Sequence, residues 1–336
     1  MQVLPRSLVV FAVLATTLCA SAQSPSLQGS MQVKTAAGMV EGKEVGTVKA
    51  FLGIPYAAPP VGNFRWKPPA PPAKWTGVRK ATEFGPRCMQ ARVFDDMVFR
   101  DEPSEDCLYL NIWAPAKPAS GSLPVLVFYH GGGNRHGNNS EIEFTAAKLA
   151  AKGIIVVTAA YRLNLLGFLS LPGMKDEGGG NFAVLDTVEA LKWVKKNIAA
   201  FGGDASNVTI SGQSAGSRNV RSLMSTPLAK GLFQRAIMHS SPTVMAQPGK
   251  PNFVTFEDKI AKASPVFEKH FPGKTLDDLR KLPIEEFYKD AARTTELFGV
   301  SSGLYAAIDG KVLTRLGRSA QARRAQRRRR HHRHGR

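Results

Sequence analysis

"VTISGQSAGS", residues Val208 to Ser217, decides how this chain is read. Val208 to Ser211 form a β-type run, and Ser214 then stands between Gly212 and Gly216 in a Gly-x-Ser-x-Gly arrangement. A serine hydroxyl is a useful nucleophile only when it is exposed, oriented and given a base. Glycines two positions to either side leave room for a sharp strand-to-helix turn that lifts the hydroxyl above a sheet edge. The residues behind it, "SRNVRSLMSTP", can form the helix, whose first N–H groups, beginning with Ala215, would face a nearby oxyanion. The same five-residue pattern occurs in ordinary turns, so its surroundings carry the argument.

Outward from the serine, "PVLVFYHGGG" (124–133), "GIIVVTAAYR" (153–162) and "NVTISGQSAG" (207–216) are continuous apolar runs bounded by turn residues, as strands buried on both faces should be. Between the last two, Val184, Leu185, Val188, Leu191, Val194 and Ile198 repeat at helical spacing and stop at the Gly202-Gly203 pair. A further strand, "RAIMHSS", follows the helix after Ser214. The alternation predicts an α/β fold with a mostly parallel central sheet. Residues 31 to 80 are rich in Gly and Pro, consistent with small antiparallel strands and an extended surface segment. Thr275 and Asp278 are spaced as a capping box, with Pro283 ending or kinking the helix they begin.

The first 22 residues combine Arg6, an apolar run from Leu8 to Leu18 and a small-x-small end at Ala20-Ser21-Ala22, which reads as a cleaved secretory signal. The run is too short for the roughly 20 apolar residues of a membrane span. Leu18 before Cys19 argues against a lipoprotein anchor. The expected compartment is therefore secreted or periplasmic, with no membrane anchor on the mature chain. Cys88 and Cys107 remain; in an oxidising compartment they read as one disulfide, or else as two unrelated buried thiols.

The "HGGG" run, His130 to Gly133, ends an earlier strand, where consecutive glycines let backbone N–H groups approach a substrate carbonyl. With "FLGIPYAAPPVGNFRW", "SEDCLYLNIWAP", "VFYHGGG", "AYRLNLLGFL" and "FGGDASNVTISGQSAG" in this order, the sequence resembles the type-B carboxylesterase family, the cholinesterase-like branch of the α/β-hydrolase fold, from about Val33 to Leu313. The resemblance implies Ser214 as the acyl-forming nucleophile, with Gly132, Gly133 and Ala215 as oxyanion donors. It also implies a Cys88–Cys107 disulfide, a small-molecule carboxylic ester as substrate and no cofactor. Gln213 stands where many relatives carry Glu, and Asn134 where an aromatic is usual. The Cys88–Cys107 loop contains Phe94 and Phe99 but no Trp, which favours uncharged esters over choline esters.

In this fold the triad order is Ser, then Asp or Glu, then His. The histidines after Ser214 are His239, His270, His331, His332 and His334. None lies in a family-like setting: His239 reads as a wall residue, His270 as a surface helix residue, and the last three lie in an arginine run. Asp204 suits a turn. Relatives place the acid and the His-Gly segment well beyond a strand like "IDGKVL" (308–313). The expected organisation is a signal at 1–22, a hydrolase domain at 23–314 lacking its C-terminal part, and an Arg-rich tail at 315–336.

Ten of the +19 net charges lie in that tail, leaving +9 elsewhere. The favoured reading of the tail is a shifted reading frame. The alternative is a catalytically dead, cholinesterase-like interaction protein whose basic tail binds a polyanion. Either way, little turnover is expected of this chain, and specific nucleic-acid recognition is not indicated.

Overall fold

Continuous apolar runs become the strands of one seven-stranded sheet in the computed structural model, which describes residues 31–90, 102–117, 121–141, 145–241, 254–300 and 306–314. The signal segment, Phe94, Phe99 and the Arg-rich tail lie outside the described residues. The strands are β1 (Lys43–Val45), β2 (Val48–Pro55), β3 (Tyr109–Pro115), β4 (Leu123–Tyr129), β5 (Ile155–Ala159), β6 (Gly203–Gln213) and β7 (Arg235–His239). Their spatial order is β7-β6-β4-β5-β3-β2-β1.

The sheet is mixed. β5, β4, β6 and β7 run parallel, as their helical crossovers require, whereas β3, β2 and β1 are joined antiparallel. The expectation of a mostly parallel sheet therefore holds for the half that carries the serine. It fails for the Gly- and Pro-rich N-terminal half, where adjacent strands pair without a crossover helix. A bulge between Phe51 and Ile54 is held by Asn111, whose Oδ1 accepts the Gly53 N–H at 2.9 Å, with Gly53 at φ 66°.

Helix α3 (Phe182–Asn197) covers the parallel strands and passes through a 3-10 turn to Gly202, whose φ of 87° stops it. Its Val188, Leu191 and Val194 join Val125, Val127, Ile155 and Ile210 in the main core. Helix α4 (Ala215–Ser225) follows β6 directly.

A second core forms where α2 (Asn164–Phe168) meets α5 (Phe256–His270), α6 (Leu276–Lys281) and α7 (Ala291–Val300); α1 is the short Ala147–Ala150. Trp66 fills its centre, edge-on to Phe267 and Phe287. The capping box at Thr275 forms as the sequence predicts, with both Thr275 groups bonded to Asp278, and α6 ends before Pro283. Arg65 and Arg280 tie α6 to the chain around Trp66. Arg65 pairs with Glu105 through Nε and Nη2 and donates Nη1 to the Leu279 and Leu282 carbonyls, while Arg280 donates to the Arg65 and Trp66 carbonyls and pairs with Glu177. Cys88 and Cys107 form a disulfide with Cα atoms 4.9 Å apart.

Candidate active site

Parallel registration fixes where the serine emerges. Gly212 of β6 lies opposite Tyr129 of β4 and Met238 of β7, so the chain leaving β4 and the chain leaving β6 come out side by side at the same sheet edge. Ser214 then adopts φ 52° and ψ −113°, a backbone that L-residues seldom occupy and that holds the side chain off both strand and helix. Its N–H donates to the His239 carbonyl at 2.9 Å, and its own carbonyl accepts from Ser217 N–H and Oγ. The turn is thus pinned from both sides.

Each flanking glycine has a steric reason. A Cβ on Gly212 would meet the Gly216 carbonyl, and one on Gly216 would meet the carbonyls of Tyr129 and His130. Only two bare backbones allow α4 to start this close to β4.

The glycine loop folds against this turn. A Cβ on Gly131 would stand 3.4 Å from Ser214 Cβ and 3.1 Å from the Gln213 carbonyl. Gly132 and Gly133 follow at φ 90° and 66°. Among the described residues, the N–H groups of Gly132, Gly133 and Ala215 donate to no protein acceptor. The structure therefore brings together the elbow and the glycine loop named from the sequence, with three spare donors between them. The Gln213 side chain also lies against Gly131, which places a neutral amide rather than a carboxylate beside the loop.

The side chains that hold this loop escaped the sequence reading. Asn134, buried at φ 61°, accepts from Asn219 Nδ2 of α4 at 3.3 Å and from Tyr161 OH at 3.4 Å, and its carbonyl accepts the Asn164 N–H. Gln90, two residues past the disulfide, closes the far end by donating to the Gly137 carbonyl and accepting the Gly137 N–H, both at 2.9 Å. The available signal was Asn134 itself, a polar residue where an aromatic is usual.

The histidines divide clearly. His130 stacks on Tyr161 with ring centroids 4.5 Å apart, and its Nδ1 carries the proton because it faces the Gly131 carbonyl at 2.9 Å. Burial holds its pKa down to about 4, so it is neutral and serves as a wall. His136 lies beside Gly132, and burial and Arg135 lower its pKa too.

His239 ends β7 with an exposed side chain, and Ser214 has no side-chain capping bond. His270 is corrected from a surface position: its ring is 13% exposed and bonds Glu296 of α7 at 2.8 Å. No hydrogen bond among the described residues joins that pair to Ser214. Asp204 makes the turn expected of it, accepting from Ser206 N–H and Oγ.

Described residues hold no His, Cys, Asp and Glu group fit for a metal ion. No helix among them is long and apolar enough to cross a membrane.

A serine at a strained strand-to-helix turn, faced by a glycine loop, agrees with the family model described as "Carboxylesterase family", which matches residues 29–330. The chain belongs to the carboxylesterase family. It is 36% identical over 324 residues to human carboxylesterase 5A, covering 90% of this chain and 54% of that protein. It is 47% identical over 211 residues to para-nitrobenzyl esterase of Bacillus subtilis, covering 62% and 43%.

Among solved structures, a PNB esterase superposes with a TM-score of 0.73 at 38% identity, covering 85% of this chain and 59% of that one. A Geobacillus stearothermophilus carboxylesterase superposes with a TM-score of 0.70 at 38% identity, covering 85% and 57%. These neighbours fix the α/β-hydrolase fold. This family member spans about half the length of the curated relatives it matches.

Proposed function

We propose that this chain carries the nucleophile and oxyanion pocket of a carboxylic-ester hydrolase. Ser214 Oγ would attack the ester carbonyl carbon, and the carbonyl oxygen, gaining charge, would be met by the N–H groups of Gly132, Gly133 and Ala215. Collapse would expel the alcohol and leave an acyl-Ser214, which water would then hydrolyse. Each donor is worth on the order of 100-fold to 1,000-fold in turnover. The observation that carries this reading is the juxtaposition of a strained serine with three N–H groups that no protein acceptor uses.

Proton removal from Ser214 needs an imidazole oriented by an acid. Among the described residues no histidine is hydrogen-bonded to the Ser214 hydroxyl; His130 faces a carbonyl and His270 faces Glu296 on another helix. We therefore propose that this chain turns over esters very slowly, and that uncharged esters suit its aromatic Cys88–Cys107 loop. The disulfide and the N-terminal apolar segment support an exported protein.

The test is p-nitrophenyl acetate hydrolysis by the mature chain beside Ser214→Ala. The expected result is a rate far below the ordinary enzyme range that is lost in the control. A kcat in the ordinary enzyme range of about 1–1,000 s⁻¹, abolished in the control, would sink the claim of inactivity. A loss in Ser214→Ala of whatever residual rate exists would support the nucleophile assignment.

A further inference from the structure

We propose that a groove on the second core binds an aromatic monocarboxylate, at a site separate from Ser214. The groove has a volume of about 260 Å³ and lies between the segment after α2 and helices α5 and α6. That is larger than the roughly 150 Å³ that accommodates benzene in an engineered cavity, so it suits one ring with a short substituent. Leu171, Phe267, Phe271 and Leu279 supply its walls, and all four are otherwise buried members of the second core. Two of them are aromatic, tilted at 38° to each other, which favours a flat ring as guest.

Polar groups then select the guest's chemistry. Ser264 lines the groove, and its Oγ is buried without a hydrogen-bond partner. A serine within a helix either points its hydroxyl to solvent or returns it to a carbonyl one turn earlier. Ser264 makes no such bond, so its hydroxyl is a buried, unpartnered donor and acceptor beside the groove, matching the chemistry of a ring hydroxyl or carbonyl that enters it.

Lys274 lines the same groove from an exposed position and forms no ion pair among the described residues. The acids nearby are already engaged: Glu268 accepts the Gly273 N–H at 3.1 Å, and Asp278 accepts both Thr275 groups. A single carboxylate on the guest complements Lys274, whereas a second would meet Glu268. The chemistry is therefore an apolar ring with one carboxylate and one hydrogen-bonding substituent.

The test titrates the mature chain with 4-hydroxybenzoate, and with benzyl alcohol and terephthalate for comparison, by saturation-transfer NMR and calorimetry. The expected Kd for 4-hydroxybenzoate is on the order of 1 mM, as a ligand of this size allows. Benzyl alcohol and terephthalate should bind at least about fivefold more weakly.

Lys274→Gln and Ser264→Ala should each weaken 4-hydroxybenzoate by about threefold to fivefold. Leu276→Trp, on a half-buried groove residue, should abolish saturable binding while the melt stays cooperative, and Ser214→Ala should leave binding unchanged. If Leu276→Trp fails to fold, the two polar variants decide. Absence of saturation, saturation indifferent to Lys274→Gln and Ser264→Ala, loss of binding in Ser214→Ala, or equal affinity for the three compounds would each overturn the proposal.

Discussion

Gly216 sits where α4 crosses closest to β4, and a methyl there would run into two carbonyls that cannot move without disturbing the sheet. Gly216→Ala is expected to cost about 3 kcal/mol, at the upper end for overpacking. Urea melts followed by tryptophan fluorescence would measure it, and a change under about 0.5 kcal/mol would mean that α4 is free to lift.

Lys259 makes the opposite case, a polar group where an apolar one would fit. It is 2% exposed, and its ammonium nitrogen meets the Phe168 carbonyl at 2.9 Å with no acid in its hydrogen-bond or ion-pair set. Burial pulls its pKa from 10.5 down to about 7. The folded state therefore gives up this proton near pH 7, whereas the unfolded chain keeps it to about pH 10.4. Between those values the unfolded state binds more protons, so this group makes stability rise with pH. Lys259→Met should stabilise the protein at pH 7 by a few kcal/mol, with the gain fading by about pH 10.4. A gain independent of pH would remove the desolvated lysine as its cause.

Strand β7 is the element with most of its surface bare. All five residues from Arg235 to His239 are exposed, Ile237 at 44% and Met238 at 45%, and no strand lies beyond it among the described residues. An apolar edge of this length templates further pairing. The protein should self-associate in light scattering at micromolar concentration, and Ile237→Lys should suppress this while changing the melt by less than about 0.5 kcal/mol. A monodisperse parent protein would contradict this.

The elements around the serine were legible in the sequence because short-range rules govern them. A Gly-x-Ser-x-Gly marks its turn within five residues and the strand and helix patterns beside it supply the context, while a capping box needs only four residues. The loop clamps were not legible, because Asn134–Asn219 spans 85 positions and Gln90–Gly137 spans 47, and no local pattern marks either partner. The charged neighbours of His270 predict an exposed ring, but Glu296 of α7, 26 residues later, bonds it. Helix α5 carries its own capping box at Thr255 and Asp258, yet Pro265 within it obscures the helical pattern.

Across the whole molecule, helix α6 of the second core is fastened to residues 65, 66, 105 and 177 by buried arginines. Arg65 is 3% exposed and Glu105 is 10% exposed, so removing one partner strands the other in a dry setting. Arg65→Met is expected to cost about 3–5 kcal/mol, with much of it recovered in Arg65→Met/Glu105→Gln. Denaturant melts with separate probes for the two cores should split in the single variant. Coincident transitions would show that the seam is held elsewhere.

Arg65 also has a consequence in time. Its guanidinium closes the last turn of α6 by binding the Leu279 and Leu282 carbonyls, 214 and 217 residues downstream. During synthesis that arginine leaves the ribosome long before the helix it will terminate exists. The glycine loop and the serine turn can already be assembled while Arg65 still waits. The second core thus draws its last three helices from chain made after every strand of the sheet, and a nascent chain halted before Leu279 would lack the helix that Arg65 closes.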